Sequence, residues 1–90
     1  MSMEVGSEEV RDGVQDIARR IAEIFGEVLG ADGAPATDSA FLEIGGDSLT
    51  AGRAVRLIST AVGARVTVRD LFRVRTADGL AAVAARRLGD

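Results

Sequence analysis

The chain is 90 residues long, 47% hydrophobic and carries a net charge of −3, which suits one small domain built around a single core. It contains neither cysteine nor histidine, so disulfides, zinc–thiolate sites, thiol nucleophiles and imidazole bases are all excluded. Charge is uneven: the residues up to Ser48 hold eleven acids against three arginines, and those from Leu49 onward hold three acids against eight arginines.

Residues 1–7 are small and polar without periodic pattern, and are expected to form a flexible tail ahead of a single domain over residues 8–90. Ser7 is positioned to cap a first helix, with Glu8 and Glu9 in the turn where negative charge is favoured. Val10, Val14, Ile17, Ile21, Ile24 and Val28 follow at steps of three and four, the spacing of one helical face. The opposite side places Asp16 with Arg20, and Arg19 with Glu23, at i,i+4 spacing on a solvated face. Gly30 suits a left-handed cap that ends this helix.

From Ala31 to Asp47 periodicity is lost and Gly, Pro, Thr, Asp and Ser accumulate, which predicts a loop longer than most compact domains carry without a functional reason. Phe41, Leu42 and Ile44 should pin its end to the core. Gly45-Gly46-Asp47-Ser48 then runs directly into an apolar-periodic segment, which predicts a second helix over Ser48–Val62 with Gly63 as its stop. Ala51, Val55, Ile58 and Val62 share one stripe of that helix, whereas Leu49, Arg53 and Arg56 fall on the other side. No acidic residue occurs from Ser48 to Arg69, so the outward face of this helix is basic, with Leu49 at its tip.

Thr67-Val68-Arg69-Asp70 reads as a capping-box variant opening a short third helix, with Val68, Leu71 and Phe72 on one face. Thr76 caps a fourth, whose face is Leu80, Val83, Ala84 and Leu88 and whose end is marked by Gly89. No stretch alternates with period two for long enough to make a sheet. The expected fold is therefore all-α: a small four-helix bundle of three longer helices and one short third helix.

An arginine-rich half raises nucleic-acid binding, but the chain is acidic overall and has no Tyr or Trp on which a base could stack. No apolar run approaches the ~20 residues of a membrane span and the first residues lack a signal pattern, so a cytoplasmic location without membrane contact is expected.

Ser48 is the candidate site. A hydroxyl at a helix N-terminus, flanked by glycines that keep bulk away, meets free N–H groups and the positive end of the helix dipole, where a phosphate is favoured by roughly 0.3–1 kcal/mol if exposed. Gly46-Asp47-Ser48-Leu49 resembles the signature of the GDSL esterases, but a catalytic serine needs a neighbouring base, and the chain has neither His nor Lys. Scattered carboxylates alone also offer no metal site. If Ser48 matters chemically, another protein must activate it; otherwise Asp47-Ser48 is only a helix cap.

Asp38-x-x-Phe41-x-x-x-Gly45-Gly46-Asp47-Ser48-Leu49, then Ala51, Arg53, Val55 and Ile58, then Val68-x-Asp70-Leu71-Phe72 and Thr76, resembles the phosphopantetheine-dependent acyl carrier protein superfamily over Val10 to Leu88. The closer likeness is to the peptidyl carrier proteins, the thiolation domains of nonribosomal peptide synthesis. The resemblance implies an acyl-carrier-protein-like bundle that is not itself an enzyme and bears 4′-phosphopantetheine on Ser48. A phosphopantetheinyl transferase would attach the arm, and its thiol would hold an aminoacyl or aryl group as a thioester. Leu49, Gly52, Arg53, Arg56 and Val68 would form the docking face for the transferase, an adenylation enzyme, and condensation or tailoring enzymes. Fatty-acid carriers usually have an acidic second helix and lack the second glycine; Gly46, Arg53 and Arg56 therefore point to the peptidyl or aryl type. The alternatives are an acyl carrier of a polyketide pathway and an unmodified helical interaction module. The family often has Pro where this chain has Arg75, and a bulkier residue where it has Gly52. A start at Met and an end soon after the fourth helix lead us to expect a free-standing carrier, and a monomer, an excised domain being the other possibility.

Overall fold

The computed structural model describes residues 2–89, with side chains from residue 13 onward. Four helices follow one another: α1 (Ser2–Leu29), α2 (Ser48–Val62), α3 (Val68–Val74) and α4 (Ala77–Gly89). The only β pairing among the described residues is an isolated bridge between Ala40 and Thr76. The all-α expectation holds, with the short helix third. Helix α1 begins at Ser2 instead of the expected Ser7, because adding turns to an existing helix needs no new nucleus. The side chains of Ser7 and Val10, to which a cap and a core place were assigned, lie outside the described residues.

Helix α1 packs against α2 and α4, and α3 bridges α2 and α4. The stripe expected on α1 is half right. Ile21 and Ile24 are fully buried, but Val14, Ile17 and Val28 are only partly so, and the small Ala18 and Ala22 with the ring of Phe25 complete the buried face. On α2 the phase is as expected, with Ala51, Val55 and Ile58 buried, joined by Ala54. Leu71 of α3 and Leu80, Ala81, Val83 and Ala84 of α4 close the core.

Several expectations need correction. Leu42, Phe72 and Leu88 are exposed. The ring of Phe41 already fills the space behind its loop, Phe72 is turned ~100° from the buried Leu71 on a seven-residue helix, and Leu88 lies in the open last turn of α4. On α1, Arg19 pairs with Asp16, and Arg20 reaches Glu23 at 3.1 Å and Glu27 at 3.8 Å; the i,i+4 pairs expected do not form. Both spacings bring side chains together on a helix, and at these exposures each pair contributes at most about 0.5 kcal/mol.

The ion pair that matters was not legible by spacing. Asp70, the only buried charged residue among those described, accepts from both Nη atoms of Arg87, at 2.5 and 3.1 Å, across the gap between α3 and α4. Its carboxylate also accepts the Thr67 N–H at 2.9 Å, while the Thr67 hydroxyl accepts the Asp70 N–H at 3.1 Å, completing the capping box of α3. The same Arg87 donates to the Arg65 carbonyl at 2.9 Å. One carboxylate thus fixes the start of α3, its approach to α4 and the turn before it.

The Arg87 hydrogen bonds hold the Asp70 carboxyl far below the ordinary carboxylate range against the opposing effect of burial, with Thr67 assisting. A group depressed in the folded state contributes stability that is complete above its unfolded pKa, near 4, and is lost as pH falls toward the folded value. Urea denaturation from pH 7 to pH 2 should therefore show stability falling below about pH 4, and Asp70→Asn should flatten that fall. At pH 7 the same substitution should cost about 2–4 kcal/mol, a little less than a fully buried broken pair because Arg87 remains half-exposed.

Candidate functional site

The site is the elbow between the long loop and α2. Asp47 is the N-cap, in extended backbone, and its carboxylate accepts the Thr50 N–H at 2.9 Å while its own N–H donates to the Thr50 hydroxyl at 2.8 Å. This reciprocal box, an Asp followed three residues later by Thr, is a signal present in the sequence that cap reasoning had not separated from Ser48. Ser48 is consequently the first helical residue. Its side chain is exposed, and among the described residues its hydroxyl has no hydrogen-bond partner. The carboxyl of Asp47 is held below its usual range, chiefly by the Thr50 backbone hydrogen bond. The helix end is therefore not bare: Asp47 already uses part of the N–H set that a phosphate on Ser48 would meet.

The glycines have reasons beyond keeping bulk from Ser48. Gly45 has φ +108°, a conformation disfavoured for any side chain. At Gly46 a Cβ would lie 2.2 Å from the ring of Phe41, so the ring and this residue occupy adjoining space that only glycine leaves free. Phe41 is buried, packs its ring on Phe25 of α1 with centroids 4.8 Å apart, donates its N–H to the Arg75 carbonyl at 2.8 Å and accepts the Gly46 N–H at 2.9 Å. The elbow carrying Ser48 is clamped from beneath.

Of the residues expected to face partners, Leu49 is 77% exposed, and Arg53 and Arg56 are exposed without an ion-pair partner among the described residues. Gly52 has nothing within 4 Å of where a Cβ would stand, although it is half-buried. These four lie at i, i+3, i+4 and i+7 on α2 and share its outer side. Val68 differs: it is half-buried and packs against the core from α3, so only part of it is available.

The family model described as the phosphopantetheine attachment site matches residues 19–84. Among curated relatives, phosphinothricin tripeptide synthetase PhsC of Streptomyces viridochromogenes is 42% identical over 72 residues, 79% of this chain and 6% of the relative. Surfactin synthase subunit 1 of Bacillus subtilis is 36% identical over 67 residues, 74% of this chain and 2% of the relative. The chain thus spans only a small fraction of the length of the curated relatives it matches. Of solved structures, BlmI, a type-II acyl carrier protein from Streptomyces verticillus involved in bleomycin biosynthesis, superposes with TM-score 0.80 at 28% identity, covering 87% of this chain and 93% of that one. A nonribosomal PCP domain superposes at TM-score 0.64 and 35% identity, covering 70% and 79%.

The geometry separates folding roles from free positions along one short stretch. Gly46→Ala should cost about 1–3 kcal/mol by forcing the Phe41 ring to move. Ser48→Ala should leave stability within about 0.5 kcal/mol, and Gly52→Ala should raise it by up to about 1 kcal/mol as a helix interior gains a better former. Equilibrium urea denaturation of the three variants checks all of this.

Proposed function

The chain belongs to the phosphopantetheine attachment-site family, and from that premise we propose that it is a peptidyl carrier that holds an aminoacyl or aryl group on an arm attached to Ser48, in nonribosomal peptide or related natural-product biosynthesis. The observation that carries this reading is the Ser48 hydroxyl: exposed, without a partner, at the first residue of a firmly capped helix, in a sequence with no His or Lys to activate it. Such a hydroxyl suits modification by another enzyme and is poorly equipped to catalyse. Accordingly we assign the protein no enzymatic activity of its own.

The residues fit the group. Ser48 would hold the arm through its Oγ: the oxygen–phosphorus bond would form as the pyrophosphate linkage of coenzyme A broke, the nucleotide bisphosphate would leave, and the hydroxyl proton would pass to a base of the phosphopantetheinyl transferase, since this chain has no His or Lys to take it. Phosphopantetheine, once bound, supplies a thiol that holds an acyl group as a thioester. This chain's part is presentation. Asp47 and Thr50 hold the first turn of α2, the Phe41–Gly46 contact fixes the loop below it, and the open surface around Ser48 lets a second protein approach.

Leu49, Gly52, Arg53 and Arg56, with the accessible part of Val68, form the docking face in this proposal. The transferase, an adenylation enzyme, and condensation or tailoring enzymes would take turns there, which calls for small, transient contacts. The carrier unit spans residues 8–90 and works as a cytoplasmic monomer, without nucleic acid or membrane.

Incubation with a phosphopantetheinyl transferase and coenzyme A should add one phosphopantetheine mass to the intact protein and none to Ser48→Ala. Absence of the gain in the unsubstituted chain, or its persistence in the variant, overturns the carrier assignment. On the docking face, Arg53→Glu and Leu49→Asp should slow modification or aminoacyl loading by roughly tenfold, about 1.4 kcal/mol, with stability unchanged within about 0.5 kcal/mol. Ile58→Ala, on the buried side of α2, should instead cost about 2–5 kcal/mol of stability.

A further inference from the structure

The helix end beside Ser48 already has an occupant. Four N–H groups at the start of a helix lack an intrahelical partner, and in α2 they belong to Asp47, Ser48, Leu49 and Thr50, because the Ala51 N–H is the first to reach back a full turn, to the Asp47 carbonyl at 2.8 Å. The Asp47 N–H is spent on the Thr50 hydroxyl at 2.8 Å, and the Thr50 N–H on the Asp47 carboxylate at 2.9 Å. The Thr50 hydroxyl stands 3.0 Å from the same carboxylate, and the Leu49 N–H adds a smaller pull on it. Of the four donors, only the Ser48 N–H is untouched by this box.

We propose that Asp47 is a positioning residue for the arm: by occupying the cap of α2, its carboxylate keeps the phosphodiester on Ser48 off the helix end, so that the phosphate faces solvent and the arm is free to turn toward whichever partner is docked. The inference rests on the assignment of Ser48 as the attachment point. It goes further by giving the neighbouring acid a task besides stabilising the helix.

Two anions compete here for one set of donors. The positive end of the helix dipole and its free N–H groups favour a phosphate as much as a carboxylate, so the outcome turns on which group is held in place beforehand. Asp47 is. It lies in ordinary extended backbone, φ −146° and ψ −174°, gripped by reciprocal bonds to Thr50, and those bonds hold its carboxyl below the usual range, so that it is charged throughout the neutral range. The phosphate would instead hang from an exposed side chain with no partner to orient it. To reach the Leu49 and Thr50 N–H groups it would have to evict the carboxylate and leave a second negative charge beside it without donors. The loop cannot draw Asp47 aside, because Gly46 lies against the Phe41 ring and donates its N–H to the Phe41 carbonyl at 2.9 Å. Nor does the flank of α2 offer another seat: the residues three and four places beyond Ser48 are the buried Ala51 and Gly52, neither of which carries a cation.

The test compares apo and holo forms of the full chain with Asp47→Asn, Asp47→Ala and Asp47→Gly, loaded by a phosphopantetheinyl transferase from coenzyme A. Asparagine keeps the capping oxygen, whereas alanine and glycine vacate the cap, glycine at little cost to the helix, so that Asp47→Gly decides if Asp47→Ala does not fold. Intact mass verifies loading and circular dichroism verifies the fold. An unsubstituted chain that takes no arm strikes the attachment assignment and not the role of Asp47; for a variant that the transferase refuses, a phosphate genetically encoded on Ser48 replaces the arm. In the unsubstituted chain and Asp47→Asn, loading should leave the Leu49 and Thr50 amide protons near their apo positions and the urea midpoint unchanged. In the vacated variants, loading should move those protons downfield at least about threefold further, as bonds to a charged acceptor do, raise the urea midpoint and broaden the phosphorus resonance. A residue that only stabilised the helix would lower the midpoint of apo and holo forms alike and leave the loading shifts equal in all four chains, which overturns the proposal. It is overturned equally if the amides of the unsubstituted chain already move as far on loading as those of the vacated variants, since the phosphate then sits on the helix end despite Asp47. Asp47→Asn behaving as the vacated variants do overturns occupancy of the cap as the cause.

Discussion

The placement of Ser48 depends on one aromatic ring. Phe41 touches the ring of Phe25 in α1, lies against Gly46 at the elbow, and through its backbone N–H takes hold of the Arg75 carbonyl at the junction of α3 and α4. A tilted ring pair of this kind contributes ~0.5–1.5 kcal/mol beyond the area it buries, but its greater effect is geometric. Without it, the seventeen residues from Ala31 to Asp47 would keep turns, the packing of Ile44 on the core and the Asp78 N–H bond to the Thr37 carbonyl, but would lose the ring beneath Gly46 at the start of α2. A carrier whose attachment point drifted relative to its second helix would not present it in one place.

That arrangement explains which parts were legible in the sequence. Helix α2 was read with its bounds and its phase, since a capped start, a glycine stop and four apolar residues at helical spacing all agree. Agreement between independent local signals is what makes a segment readable. Phe41, Leu42 and Ile44 could be recognised as apolar anchors, but not sorted, because nothing local distinguishes a residue that enters the core from its neighbour that lies over it. The Phe41–Gly46 contact and the Asp70–Arg87 pair join positions whose relation exists only in the folded chain. Asp70 was visible as a capping residue and invisible as the clasp on α4 for that reason.

The two ends of α3 are held by different means, and the contrast bears on the site. At its start the buried Asp70 carboxylate gathers Thr67, Arg87 and, at 3.4 Å, Arg73, which holds the position firmly. At its end Arg75 adopts φ 72°, the only positive φ outside glycine among the described residues. Non-glycine residues in such conformations cost on the order of 1–3 kcal/mol unless their surroundings impose them. Here the Arg75 N–H closes the helix on the Leu71 carbonyl at 2.7 Å, and its own carbonyl receives Phe41.

The Pro that the family often carries where this chain has Arg75 is closed to this geometry twice over. Its ring fixes φ near −65°, and it has no N–H to give to Leu71. A chain with Pro there must end α3 differently and hold Phe41 through a differently placed carbonyl. With Arg75 in the left-handed region, the same residue caps α3 through its N–H, anchors the loop beneath Ser48 through its carbonyl and contributes, beside Phe72, to the wall of a groove between the end of the loop and α3. The departure from the family pattern therefore falls at the residue that couples the attachment elbow to the groove. It leaves the outer face of α2, which is built on its own cap, untouched.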